Sequence, residues 1–257
     1  MKNKIIISVV IPYFKKKLFF KETIKSIINQ SYKNFEIILI YDDMNQNQLS
    51  FVKSILKKFK NKKILVNKKN LGPGNSRNKG ILESKGDYIA FCDADDVWKK
   101  NKLLNQLNFM KKKRINFSHT NYSIINKYSK IIGKFRIKKK IDYHNLLKSC
   151  DIGLSTVMVS KKILLKNKFC DLKTKEDYEL WLRLSKKNKF LLGLKRNFSS
   201  WRKVENSLSS SLAQKLLDSF RLYYYYEKYN ILISVFYVIR LTYFALLKKI
   251  KIYFLKD

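Results

Sequence analysis

The sequence predicts an α/β fold: a mostly parallel sheet flanked by helices, followed by a helical C-terminal tail. Three observations carry that prediction. Short, uniformly apolar, β-branched runs recur through the first half, as in strands buried on both faces. Segments with apolar residues at three- and four-residue spacing alternate with them. Acidic residues gather just after the second and fourth runs, where ligands of such sheets bind.

In order, IIISVVI (5–11) reads as the first buried strand. Residues 18–30 have helical spacing, with Phe20, Ile24, Ile27 and Ile28 on one side. FEIILIY (35–41) is the second strand, and 48–59 a helix with Phe51, Val52, Ile55, Leu56 and Phe59 inward. KILV (63–66) is the third strand, 73–84 a helix after a Gly-Pro-Gly turn, and 87–92 the fourth strand. This βαβαβαβ order implies parallel pairing with helices on both faces. It puts Asp42 and Asp43 on one rim with Asp93, Asp95 and Asp96. Beyond it, 97–113 reads as a helix, 115–119 and 156–160 as short strands, and 175–187 as an amphipathic helix. After about residue 211 the chain reads as wholly helical.

With 56 Lys and Arg against 19 Asp and Glu, the formal net charge is +37. That excess suits a polyanionic partner: nucleic acid, an anionic membrane or a phosphorylated substrate. It equally suits a solvated surface in a Lys- and Asn-rich chain, because the lysines are spread over the whole length. Cys92, Cys150 and Cys170 stand at no metal-ligand spacing with His119 or His144. The opening residues carry no small-residue cleavage site, and the expectation is a reducing, cytosolic compartment. No segment reaches the ~18–20 uncharged residues of a spanning helix; the nearest, 231–247, is interrupted by Arg240.

Three motifs carry chemistry. In YIAFCDADDVW (88–98), Asp95 or Asp96 would cap the helix expected at 97, which leaves Asp93 unexplained. The Asp93-x-Asp95 spacing at a strand end aims two carboxylates into one cleft. Mg²⁺ or Mn²⁺ needs only one or two, completing its shell with water and substrate phosphate. In NLGPGNSRNKG (70–80) Arg77 stands where a dinucleotide fingerprint needs its third glycine, so that motif fails; a Gly-rich helix start remains, with Arg77 on its first turns. In KEDYELWLRL (175–184), Glu176 and Asp177 occupy a helix N-terminus, where negative charge suits the macrodipole. Tyr178, Trp181, Leu182 and Leu184 would face inward.

Taken in order, SVVIPYF, SIINQSYKNFEIILIYDD, NLGPGNSRNKGILESKGDYIAFCDADDVW, STVMVS, KEDYELWLRL and WRKVENSLSS resemble the family 2 inverting glycosyltransferases of the GT-A fold, over about residues 7–211. The resemblance implies a glycosyltransferase domain over 1–211 and an appended helical extension over 212–257. It implies a nucleoside diphosphate sugar donor, foremost a UDP-sugar, and a glycan or lipid-linked acceptor in bacterial cell-surface glycan synthesis. It also implies roles. Asp42, or alternatively Asp43, contacts the base, and Pro12 and Tyr13 line the base pocket. Arg77 lies near the nucleotide, Asp93 approaches the ribose, Asp95 holds Mn²⁺ or Mg²⁺, and Asp177 is the catalytic base. Two departures stand out. The family's usual Asp-Asp-Gly-Ser reads Asp42-Asp43-Met44 here after Tyr41, and Val204 replaces a His that in many members helps bind metal or phosphates.

Rival readings are a nucleic-acid-binding protein and an inactive membrane-surface protein on the same fold. The acidic rim speaks against the first, and the complete Asp-x-Asp with the Glu176-Asp177 pair against the second. In the tail, 231–255 is apolar and aromatic with Arg240, Lys248, Lys249 and Lys251 interspersed, and four tyrosines (223–226) precede it. An interfacial helix on an anionic, cytoplasmic membrane face fits that pattern. A helix packed on the domain or forming a dimer is the alternative.

Overall fold

The structure, a computed structural model, describes residues 5–188, 190–204 and 211–254. In the first half the elements follow the expected alternation: β1 (Ile7–Tyr13), α1 (Lys17–Ile28), β2 (Phe35–Tyr41), α2 (Gln46–Leu56), β3 (Lys62–Val66), α3 (Gly72–Glu83) and β4 (Tyr88–Phe91). Strands β3, β2, β1 and β4 lie side by side and parallel, with Val10 opposite both Ile38 and Phe91. Period-two alternation sorts their side chains. Ile7, Val9, Ile11 and Tyr13 join Ile37, Leu39 and Tyr41 in the core under α1 and α2, while Val10, Ile38 and Ile40 face the other core. Both faces are therefore buried, which is why these strands read as unbroken apolar runs.

The second half departs further from the sequence pattern. The helix expected over 97–113 begins later: Val97–Trp98 forms β5, paired antiparallel with Ser200 and Ser199, and α4 runs Lys102–Lys113. Asp96 caps no helix; it accepts the Arg202 N–H at 2.9 Å. There follow β6 (Phe117–Ile125), β7 (Ile131–Phe135), β8 (Lys140–Ile141), α5 (Tyr143–Lys148), β9 (Met158–Ser160), α6 (Lys161–Lys166), α7 (Glu176–Lys187) and β10 (Leu191–Arg202). Among the described residues one ten-stranded sheet runs β3-β2-β1-β4-β9-β6-β10-β5, with β7 on β6 and β8 on β10. β9 pairs antiparallel with both neighbours, so it is the seam between the parallel first half and the parallel β6–β10 pair.

The tail is helical, as expected: α8 (Leu212–Arg221), a π-helical turn (Leu222–Tyr226) and α9 (Ile231–Phe254). It is bound to the domain along one face. Leu222, Tyr223 and Leu241 are buried in the core that holds Trp181 and Tyr178. Thr174 donates its N–H to Asp218 at 3.0 Å, Lys186 pairs with Glu227 at 2.8 Å, and Lys248 with Asp151 at 2.9 Å. Of the four tyrosines, Tyr223 points inward, stacked on Tyr237, while Tyr225 and Tyr226 are exposed. The outer face of α9 carries Leu232, Val235, Phe236, Ile239, Tyr243 and Leu246, all exposed. Over Ile231–Lys248 the helix is long and apolar enough to cross a membrane by length and composition.

Candidate active site

Because β1, β2 and β4 are parallel and in register, their C-terminal ends deliver Tyr13, Asp42 and Asp93 to one edge of the sheet. Asp42 is buried and clamps the loop into α3. Its Oδ1 accepts from Asn67 Nδ2 and the Leu71 N–H, both at 2.8 Å, and its Oδ2 from the Gly72 N–H at 2.9 Å. Gly72 stands at φ 77°, which favours glycine. Asp43 accepts one hydrogen bond on each oxygen, from the Lys15 N–H at 3.1 Å and the Asn45 N–H at 3.2 Å. Asp42 thus has its oxygens more fully engaged than Asp43. Pro12 is partly buried; Tyr13 has no exposed surface, packs on Phe20 and Tyr41, and bonds Gln48 at 2.8 Å. Tyr13 therefore underlies the rim and presents no face to a ligand in this conformation.

At the end of β4, Asp95 is nearly buried and its Oδ2 lies 2.6 Å from Lys16 Nζ. Burial raises the Asp95 carboxyl above its ordinary range, and the Lys16 ammonium opposes that shift. Asp96 lies deeper. Burial, then the Asp95 and Asp93 charges, push its carboxyl well above the ordinary range. Arg202, fully sequestered, donates Nε–H to the Asp95 carbonyl at 2.8 Å and pairs with Glu22 at 2.6 Å, fixing the main chain at the acidic turn. Ser155 Oγ accepts the Asp93 N–H at 3.0 Å, and its carbonyl accepts from Trp98 Nε1 at 2.9 Å.

Arg77 joins this cluster to α7. Its two terminal nitrogens reach Asp93 Oδ1 at 2.8 Å and Glu176 Oε1 at 2.6 Å, and the guanidinium is buried over the Phe169 ring. Gly74 permits the approach of α3 to α7: a Cβ there would stand 2.7 Å from the Cys170 carbonyl and 3.3 Å from Glu176 Cβ. Burial pushes Glu176 up to about 7 against the pull of Arg77. Asp177, next in the chain, is partly exposed and accepts the Tyr178 N–H at 2.7 Å. Burial raises its carboxyl too, with Arg77 opposing. The rest of α7 is anchored by Tyr178, Leu180, Trp181, Leu182 and Leu184, the inward set read from its periodicity together with Leu180.

Three sets of contacts thus line the rim. Asp43 holds the Lys15 N–H, Lys16 holds Asp95, and Asp93 leads through Arg77 to Glu176, beside Asp177. Sequence reasoning did not single out Lys16, Ser155 or Arg202. Ser155 and Arg202 lie inside the quoted stretches STVMVS and WRKVEN, while Lys16 is one lysine among many and gives no signal. Val204 lies just past β10, partly buried, and residues 205–210 of the closing stretch fall outside the described residues. Among the described residues no three His, Cys, Asp or Glu side chains are grouped to hold a metal by themselves.

The profile of glycosyl transferase family 2 matches residues 8–168. An uncharacterized glycosyltransferase of Haemophilus influenzae is 31% identical over 247 residues, 96% of this chain and 98% of that protein. The Escherichia coli UDP-Glc:alpha-D-GlcNAc-diphosphoundecaprenol beta-1,3-glucosyltransferase WfgD is 35% identical over 217 residues, 82% of each chain. Among solved structures, Staphylococcus aureus TarS 1–349 in complex with UDP-GlcNAc superposes with a TM-score of 0.67 at 19% identity. That match covers 83% of this chain and 65% of the TarS 1–349 chain, and shows a shared fold.

Proposed function

The chain belongs to glycosyl transferase family 2, and from that premise we propose that it transfers a sugar, with inversion, from a nucleoside diphosphate sugar to an acceptor hydroxyl in bacterial surface-glycan synthesis. The observation that carries this reading is the Asp93–Arg77–Glu176 bridge, which brings the strand-end acids beside Asp177. It ties the acids expected at the donor to the acid expected at the acceptor. WfgD supports a UDP-sugar donor and a lipid-linked acceptor.

Asp43 takes the base contact in preference to Asp42, whose oxygens already hold the Asn67–Gly72 loop. Tyr13 shapes that pocket from below. Asp93, with a third of its side chain exposed, approaches the ribose, and Arg77 fixes its direction. The donor set suits Mn²⁺ or Mg²⁺: hard carboxylate oxygens, Asp95 already facing a cation, and, among the described residues, a ligand count that leaves room for substrate phosphates. Held by Asp95, such an ion would neutralise charge on the departing diphosphate. Asp177 takes the acceptor's proton. Its raised carboxyl makes it a stronger base than an exposed aspartate, and the Arg77 charge opposes that rise. A single displacement from the opposite face then inverts the anomeric centre.

Residues 1–211 make the transferase domain and 212–257 an arm that rests on the cytoplasmic face of a membrane. The apolar outer stripe of α9 supports this placement, and its inner face, tied to Asp151 and the core, favours lying on the bilayer over crossing it. The test is a thermal-shift screen of nucleotide sugars with and without Mn²⁺. A Mn²⁺-dependent rise in Tm with one donor class is expected. No shift with any donor, alongside salt-sensitive binding of random DNA, would overturn the reading in favour of a nucleic-acid-binding protein.

A further inference from the structure

Lys16 is an electrostatically misplaced residue. Residues Lys15, Lys16 and Lys17 form a run of positive charge at the N-terminus of α1, where the macrodipole favours acids, and the first turn of α1 holds none. Lys16 occupies the capping position and supplies no side-chain cap. Lys15 adopts φ 51°, uncommon for a residue with a side chain. Local rules broken together without a compensating gain in packing mark functional positions.

The three ammonium groups go to different places. Lys15 Nζ lies 5.1 Å from the Phe14 ring centroid and Lys17 Nζ 5.6 Å from that of Phe51. Lys16 alone of the three turns into the rim, 2.6 Å from Asp95 Oδ2, with a quarter of its side chain exposed and a tenth of Asp95's. The main chain beneath it is pinned: the Lys15 N–H is held by Asp43, and the Lys16 carbonyl accepts the Phe19 and Phe20 N–H groups at 3.1 and 3.0 Å. Only the flexible, partly solvated side chain is free to swing. Without Lys16, Asp95 would be a nearly buried carboxylate close to Asp93 and Asp96 with no ammonium on its own oxygens, the Arg77 charge being held at Asp93 and Glu176.

We propose that Lys16 is a tethered counter-ion that holds Asp95 in the free enzyme and yields it to a divalent cation when a diphosphate offers the ammonium another anion. This rests on the reading of Asp95 as the metal-binding carboxylate. Metal alone must displace Lys16 and leave its charge nearby, so it binds weakly. With the nucleotide present, Lys16 gains a phosphate partner as Asp95 gains the metal. Metal and nucleotide then bind cooperatively, each raising the other's affinity by the same factor.

The test titrates Mn²⁺ into the full chain by calorimetry, with and without UDP, for the wild type, Lys16→Met and Lys16→Arg. Removing an ammonium that competes for the Asp95 oxygen at 2.6 Å predicts Mn²⁺ binding about tenfold tighter in Lys16→Met without UDP. The enhancement that UDP gives should shrink by a similar factor, and Lys16→Arg should keep the weak wild-type affinity. Equal or weaker binding of Mn²⁺ alone by Lys16→Met, with Mn²⁺–UDP binding intact in the wild type, overturns the role of Lys16 and leaves the metal reading standing. No Mn²⁺ binding by any of the three proteins with UDP present overturns both.

Discussion

The rim at the strand ends and the arm of α8 and α9 distribute charge and apolar surface in opposite ways. On the rim, buried or half-buried charges face one another. Arg77 lies between Asp93 and Glu176, Lys16 meets Asp95, and Arg202 braces the turn from behind. On the arm, the inner face is committed to the domain through Tyr223, Leu241 and Lys248, while the outer face shows a row of large apolar side chains to solvent. The rim holds its groups at the expense of desolvation and repulsion, so its geometry is coupled to the fold. Among the described residues the outer face of the arm is left exposed to solvent. Damage to the rim should therefore appear in stability and chemistry, and damage to the arm's outer face in location alone.

The largest effect on the rim side is expected from Arg77→Ala. It leaves two carboxylates facing each other without their shared cation, and breaking a buried ion pair from one side costs about 3–5 kcal/mol. Urea denaturation should report that loss. A cost under about 1 kcal/mol would mean that the rim is no more tightly bound to the fold than a surface.

The arm offers the contrasting case. Leu232, Phe236 and Ile239 are 82%, 59% and 64% exposed. Replacing all three with Gln should lower co-sedimentation with anionic liposomes by about tenfold or more, at ~0.8 kcal/mol for each methylene withdrawn from the bilayer. Tm should hardly move, because exposed substitutions stay within about 0.5 kcal/mol each. Undiminished sedimentation would assign the stripe to something other than lipid. Substitution is preferable to truncation here, since removing α9 would uncover Tyr223 and Leu241.

The smallest effect is a pH dependence. Asp177 is held above its ordinary value of 3.8 in the folded state, so the folded protein binds that proton more tightly than the unfolded chain. Its contribution to stability therefore declines as pH rises above 3.8 through the folded value. Asp177→Asn removes that decline. The variant should be slightly more stable than wild type at neutral pH, with the advantage fading toward pH 4, as seen by thermal unfolding across that range. An advantage that grows toward acid would reverse the sign and contradict the raised carboxyl of Asp177.

The first half was legible because its strands are buried on both faces and each turn between them ends in residues with a stated job. FEIILIY followed by two aspartates can hardly be read as anything but a strand end with a polar task. The second half was less so. β10 was invisible because register shifts between Leu194 and Asn197 and between Asn197 and Ser199 break its alternation. The stretch at 97 looked helical because the pairing of Val97 and Trp98 with Ser200 and Ser199 is contact between residues a hundred positions apart. Within the site, carboxylates were legible because acids are scarce in this chain. Their partners were not: Lys16 hides among 56 basic residues, and the bridging of Asp93 and Glu176 by Arg77 appears only when α3 and α7 are brought together at Gly74.

The central claim is that Asp177 accepts the acceptor's proton while the remainder of the rim binds the donor. The direct measurement is the transfer rate from the donor that the thermal-shift screen selects to an acceptor on which the wild type turns over, for wild type and Asp177→Asn, alongside UDP affinity in Mn²⁺. The amide is isosteric and cannot take the proton, so the rate should fall by about 10²- to 10⁴-fold, the usual contribution of a positioned base, with UDP affinity nearly unchanged. Near wild-type turnover by Asp177→Asn would contradict the account and move the base elsewhere on the rim.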